Sequence, residues 1–257
     1  MPASDLALLL EAARAAGDVS SRYADGSAKV WDKPGGAGPV TEADLAVNAL
    51  LKETLQAARP DYGWLSEETE DTEARLERDT VFIIDPIDGT RGFVDGSRTW
   101  AHSLAVAHKG EVTAAVVYLP MRDKLYAAAK QKGAFLNDAP LQISARKDLQ
   151  GASVLAAKPF MDEKHWRSGV PDIQRAYRPS LAYRLALVAE GRFDAMLTLR
   201  KTWEWDIAAG DLIVREARGR TSDRTGGALR FNNPEPTLNG VLVANPSLHG
   251  DIAEKLR

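Results

Sequence analysis

Val81-Phe82-Ile83-Ile84-Asp85-Pro86-Ile87-Asp88-Gly89-Thr90 is the stretch on which the reading of this chain turns. The apolar run at 81–84 has the length of a buried strand, and Pro86 forbids a helix from continuing through it. The chain is therefore expected to turn at the strand's end. Asp85 and Asp88 on that turn point at one small volume, where like charges repel unless a cation separates them. Gly89 permits close approach of backbone, and Thr90 adds a hydroxyl beside two free amides. A metal and a phosphate fit this outline. A strand-end turn with two solvated aspartates fits it as well, because Asp, Pro and Gly are common turn residues. The rest of the chain has to decide between them.

Composition narrows the chemistry. With 44% hydrophobic and 27% charged residues among 257, the chain is of ordinary globular type. A net charge of -3 offers no general basic surface, so long nucleic acid is not an expected partner. The absence of cysteine excludes disulfides, thiolate nucleophiles and Cys-ligated metals. Among the four histidines, His102, His108, His165 and His249, no pair has the i, i+4 spacing of a zinc helix. His102 and His108 flank a predicted strand and are expected at its surface or edge. Catalysis then rests on carboxylates, hydroxyls and an oxygen-seeking metal such as Mg2+. The N-terminus lacks a basic region, and the apolar run at 6–10 is too short for a signal or a membrane span. A cytoplasmic protein without a membrane partner is expected.

Upstream of the motif, Ser4 caps a helix predicted over about residues 5–23, with Leu6, Leu9, Leu10, Ala13 and Ala16 on one face. Lys33-Pro34-Gly35-Gly36-Ala37-Gly38-Pro39 breaks both regular periods and is expected as a mobile loop. Lys33 at its edge is either solvated or swung toward an anionic site. Thr41-Glu42-Ala43-Asp44 matches the capping pattern of a second helix, which makes Asp44 a first-turn carboxylate. Gly63-Trp64-Leu65-Ser66-Glu67-Glu68 is a short apolar element ending in two acids. An adjacent Glu pair ordinarily faces water, but a strand end beside 81–84 would bring one of them near Asp85.

Downstream, residues 103–107, 112–118 and 125–129 read as an antiparallel meander. A change of pattern near 145–152 suggests an N-terminal α+β part over 1–147 and a C-terminal α/β part over 148–257, within one compact unit. In the second part, strands at 154–157, 174–177, 193–197 and 241–244 are predicted. Helices are predicted at 162–168, 180–190, from Trp203 to about 217, and at 248–256, with Asp206 in the first turn of the third.

Taken in order, Val40-Thr41-Glu42-Ala43-Asp44, Glu67-Glu68, the motif at 85–90, Ser180 with its helix, and Trp205-Asp206-Ile207-Ala208-Ala209-Gly210 resemble the signatures of the inositol monophosphatase family. That family includes inositol monophosphatases, 3'(2'),5'-bisphosphate nucleotidases and fructose-1,6-bisphosphatase-like enzymes. The likeness runs over nearly the whole chain. It implies the layered αβαβα sandwich of the sugar phosphatases, an α/β (α+β) fold with an antiparallel-rich N-terminal sheet. It also implies two or three Mg2+ per active site. Glu67, Asp85 and the carbonyl of Ile87 would hold one cation, and Asp85, Asp88 and Asp206 a second. Thr90 and Asp44 would form a relay that takes a proton from the attacking water, with Glu67 orienting it. Asp88, Ser180 and the amides of Gly89 and Thr90 would contact the substrate, and Lys33 would come near the metals. Lithium sensitivity and a homodimer follow from the same resemblance.

The substrate is less directly written. Inositol monophosphatases carry a Glu seven residues before the last Asp ligand, where this chain has Leu199 followed by Arg200 and Lys201. A basic pair suits a second phosphate better than a neutral polyol, and a solvated Arg-Lys turn is the alternative. A 3'(2'),5'-bisphosphate nucleotide is therefore favoured over inositol 1-phosphate. A regulatory binding protein that keeps the phosphatase fold is the competing function. Arg91-Gly92-Phe93 also departs from the polar T/K-N-F of many inositol enzymes.

Overall fold

The computed structural model describes residues 4–257 except Asp25, Ser27 and Ala37. The first three residues, and the Ala37 position of the glycine-rich loop, lie outside the described residues. Ser4 accepts a hydrogen bond from the Ala7 amide and starts α1 (Asp5–Ser20), which buries Leu9, Ala13 and Ala16. A small hairpin, β1 (Val30–Asp32) and β2 (Pro39–Thr41), flanks the glycine-rich loop. Thr41 and Asp44 then cap α2 (Glu42–Ala58) reciprocally, as the sequence pattern predicts.

The first sheet contains β3 (Gly63–Ser66), β4 (Thr80–Asp88), β5 (Ala101–His108), β6 (Glu111–Leu119), β7 (Lys124–Ala129), β8 (Ala134–Leu136) and β9 (Ala139–Pro140), side by side in that order. β3 runs parallel to β4 and the other neighbours are antiparallel. One short helix, α3 (Thr90–Val94), follows β4. The second sheet contains β10 (Ala152–Leu155), β11 (Ile173–Ala176), β12 (Ala195–Trp203), β13 (Arg220–Ser222) and β14 (Thr237–Ala244), in the order β11-β10-β12-β14-β13. Three helices accompany it: α4 (Leu181–Ala189), α5 (Ala208–Glu216) and α6 (Pro246–Lys255).

The uninterrupted apolar run of β4 is explained by cover on both faces. Phe82 and Ile84 pack with α1 and α2, whereas Val81 and Ile83 pack with α4 and α5. Those two helices share one core with Met196, Val241 and Val243 of the second sheet. Leu248 and Ile252 of α6 cover that sheet's far face. The layers are helix, sheet, helix, sheet, helix, which is the α/β sandwich expected. Because α4 and α5 belong to the middle layer, the two parts of the chain meet in a common core.

Four local expectations change. Pro86 does not end β4; the strand runs to Asp88 with a register shift between Asp85 and Asp88. Proline has no N–H to give the β5 ladder, so the strand bulges there instead of turning away. The helix predicted over 162–168 is replaced by 3-10 turns at Lys158–Met161 and Glu163–His165, since that segment has no apolar stripe at helical spacing. β12 carries Leu199, Arg200 and Lys201 inside a strand, and α5 begins only at Ala208, so Asp206 sits in the turn before it. Finally His102 is fully buried, not at a surface or edge. Among the described residues no helix is long and apolar enough to cross a membrane.

Candidate active site

The parallel pairing of β3 with β4 sets Ser66 opposite Ile84, so the next residues out, Glu67 and Asp85, emerge together. The Glu67 amide donates to the Ile84 carbonyl at 3.2 Å. The turn before α5 delivers Asp206 from the other half of the chain. One carboxylate oxygen from each of Asp85, Asp88 and Asp206 lies within 4.8 Å of the other two. Both oxygens of Asp85 are buried without a hydrogen-bond donor. Its neighbours are themselves carboxylates and offer no proton when ionised. Burial, reinforced by Glu67, Asp88, Asp206 and Asp44, pushes the Asp85 carboxyl far above its ordinary range. Burial and then Asp88 and Glu67 do the same to Asp206. Buried oxygens left without a donor match what a hard divalent cation requires, and among the described residues this is the one such acidic group.

A second layer holds these acids in place. Asp88 Oδ2 accepts from the Ser180 hydroxyl and from the Ala182 amide, both at 2.6 Å. Burial raises Asp88 to about 6 against these bonds. Ser180 also caps α4 by accepting from the Tyr183 amide at 3.0 Å, so one hydroxyl joins the start of that helix to Asp88. Gly89 has φ 97°, and a Cβ there would come within 3.4 Å of the Ser180 nitrogen. Arg184, on the same helix, stacks 4.3 Å from the Tyr177 ring and donates to the Arg178 carbonyl, and its charge favours ionised Asp88.

Asp44 Oδ2 accepts from the amide and hydroxyl of Thr41, which leaves Oδ1 3.3 Å from the Thr90 hydroxyl. That hydroxyl is also 3.1 Å from the Ile87 carbonyl. Its single proton serves one acceptor at a time, so Thr90 can pass between the two. Burial raises Asp44 to about 6. Lys33 swings inward and donates to Glu67 at 2.8 Å and to Glu68 at 2.7 Å. Glu68, expected to face water, is buried beside it, and burial raises its carboxyl to about 7. The basic pair of β12 splits. Lys201 forms an exposed ion pair with Glu235, whereas Arg200 remains close enough to favour charge on Asp206.

These shifts fix a sign for the metal-free protein. Asp44 and Glu68 have folded pKa values above their unfolded ones, so the folded state holds extra protons between about pH 4 and 7. The contribution of these two groups to stability is full below that window and falls as pH rises through it, whereas His102 and His249, lowered by burial to about 4, contribute in the opposite sense. In EDTA the melting temperature of wild type relative to an Asp44→Asn, Glu68→Gln variant is expected to drop from about pH 4.5 to 7, and the increment produced by added Mg2+ in wild type to grow over the same range, because a bound cation needs the ionised carboxylates. A metal-free difference that climbs across this window would contradict the electrostatics of the site.

His102, Glu68 and Arg184 were not assigned to the site by sequence. For His102 a signal existed. It shares strand parity with Leu104 and Val106, which face α1 and α2, so alternation alone places it inside. Glu68 and Arg184 had no comparable signal, since their burial depends on Lys33 and Tyr177 arriving from elsewhere.

The protein brings carboxylates together from distant segments of its chain, with no histidine in the group, in an arrangement that could hold a metal ion. It belongs to the inositol monophosphatase family, whose model matches residues 2–257. The chain is 38% identical over 203 residues to the inositol-1-monophosphatase of Rhizobium meliloti (strain 1021), covering 75% of each protein. It is 33% identical over 231 residues to Nus factor SuhB of Escherichia coli (strain K12), covering 86% of each. Among solved structures, the extragenic suppressor protein suhB of Bartonella henselae superposes with a TM-score of 0.80 at 30% identity, covering 96% of both chains. A Thermotoga maritima IMPase gives a TM-score of 0.82 at 28% identity, covering 97% of this chain and 95% of that one.

Proposed function

We propose that this protein is a Mg2+-dependent, lithium-sensitive hydrolase of a small phosphate monoester, with a 3'(2'),5'-bisphosphate nucleotide as the favoured substrate and inositol 1-phosphate as the alternative. The observation that carries the metal assignment is the pair of buried, donor-less oxygens on Asp85 between two further aspartates. Glu67, Asp85 and the Ile87 carbonyl would hold one cation, and Asp85, Asp88 and Asp206 a second. Bound Mg2+ supplies charge neutralisation for the phosphate ester and for the attacking water. Asp44, held by Thr41, keeps its free oxygen toward Thr90 and receives a proton through that hydroxyl. Lys33 balances Glu67 and Glu68 until cation and substrate arrive. Ser180 and the Ala182 amide keep Asp88 aimed at the gap. Amides of Gly89 and Thr90 at the start of α3 would hold the phosphate.

Leu199 is buried and offers no hydrogen bond to a polyol hydroxyl, while Arg200 is exposed beside Asp206 and suits a second phosphate. Lys201, paired with Glu235, contributes less to this preference than its sequence position suggested. The homodimer and lithium sensitivity follow from the family resemblance. Phosphate release from 3'-phosphoadenosine 5'-phosphate and from inositol 1-phosphate, in Mg2+ and in EDTA, with and without Li+, tests the reading. Activity should require Mg2+ and fall about a hundredfold or more in Glu67→Gln, with the circular dichroism spectrum unchanged. Turnover that survives both EDTA and Glu67→Gln would refute the metal assignment, and the ratio of the two rates decides the substrate.

A regulatory binding protein is the second reading, favoured by one finding: a relative of similar identity is named a Nus factor. A stoichiometric protein partner together with no turnover on either ester would establish it.

A further inference from the structure

We propose that His102 and Ser103, successive residues of β5, are positioning residues for the metal centre, each holding a main-chain carbonyl next to one of its carboxylates. The inference rests on the metal reading above. The two side chains leave the strand on opposite faces, and both are fully buried. His102 points toward the helix layer of α1, where its ring packs edge-on to Trp100 at 5.5 Å. Its Nδ1 bonds the Pro86 carbonyl, and its Nε2 lies 3.0 Å from the Ser20 hydroxyl. A carbonyl only accepts, so Nδ1 carries the proton. Burial keeps the ring neutral, which leaves Nε2 to accept from Ser20. Ser103 points the other way and donates to the Trp205 carbonyl at 2.8 Å.

Pro86 lies between Asp85 and Ile87, and Trp205 immediately precedes Asp206. In the bulge of β4 the ladder to β5 is interrupted between Asp85 and Asp88, so the peptide at Pro86 lacks the regular strand bonds that would otherwise orient it. The imidazole replaces them. On the opposite face, the turn carrying Asp206 comes from the second part of the chain, and Ser103 ties it to the strand whose register already pairs Ser103 with Asp85. One dipeptide therefore gauges the separation of Asp85 and Asp206, the distance that a shared cation samples.

The two roles of His102 can be separated chemically. Asparagine places an amide donor near the position of Nδ1, whereas glutamine reaches the position of Nε2. Mg2+ binding to the full chain, measured by isothermal titration calorimetry on wild type, His102→Asn, His102→Gln, His102→Leu and Ser103→Ala, tests the proposal. Melting temperatures in EDTA report general damage separately. Asn should keep a Kd within about twofold of wild type, while Gln, Leu and Ser103→Ala should weaken Mg2+ by about tenfold or more. Hydrogen exchange at the Ile87 amide should rise in Gln but not in Asn. If Leu fails to fold, the Asn and Gln pair still decides. Equal Mg2+ affinity in Asn and Gln, or wild-type affinity in Ser103→Ala, overturns the positioning role. A wild-type protein that binds no Mg2+ overturns the metal reading and this inference with it.

Discussion

Asp85→Asn is expected to abolish phosphate release and, at the same time, to raise the melting temperature of the metal-free protein. Both effects come from the two donor-less oxygens buried among carboxylates. Without a cation, the charge on Asp85 is unfavourable for folding, because burial and four acidic neighbours oppose it. Asparagine removes that charge, and its amide protons can be donated to the acceptors around it. A gain of about 1–3 kcal/mol in EDTA is the expected scale. With a cation the balance reverses, since the carboxylate assigned to both metal positions is gone. Activity should fall on the order of a thousandfold, about 4 kcal/mol in the barrier, and the stabilisation by Mg2+ should vanish. Thermal melts with EDTA and with Mg2+, beside a phosphate-release assay, check both halves. Retained activity, or a lower melting temperature in EDTA, would show that Asp85 is an ordinary structural carboxylate.

Gly210→Ala carries the second largest expected effect, and its origin is packing. A Cβ at Gly210 would stand 2.5 Å from both Cβ and Cδ1 of Leu185, so α4 and α5 have to separate. The Cβ of Leu185 is fixed to its helix and cannot swing aside. A loss of about 3 kcal/mol is expected in urea unfolding, at the upper end of overpacking costs. Activity should suffer even where the protein is folded, because α4 begins at the Ser180 that orients Asp88 and α5 follows Asp206. Gly250→Ala is the matched control. It lies within α6 with no atom within 4 Å of the added carbon, and alanine there should stabilise by about 0.5–1 kcal/mol. Equal effects from the two substitutions would rule out the crossing as the reason for Gly210.

Local chemistry made much of the site legible. The capping box at Thr41 and Asp44, the strand before Asp85, and Gly89 with its positive φ are each written in a few adjacent residues, and the structure keeps them. Failures occurred where a long-range partner decides. Pro86 signals a break, and only the β5 ladder shows that the break is a bulge. Glu68 resembles a solvated acid until Lys33 closes on it. Arg200 and Lys201 look alike in the chain, and Glu235, 34 residues from Lys201, separates their roles. Ser180 meets its partner Asp88 across 92 residues of chain.

By itself, then, the sequence determined most of the elements and the absence of thiol chemistry, and it singled out the acids expected at the centre, because these depend on residue type and short spacing. Only the tertiary structure decided how those acids are held. Asp85 is left without a donor, Asp88 is bound by the start of α4, and Asp206 is pinned through Trp205 to Ser103. The reason is physical: burial and hydrogen-bond satisfaction are properties of the packed space around a group, and segments far apart in the chain supply that space.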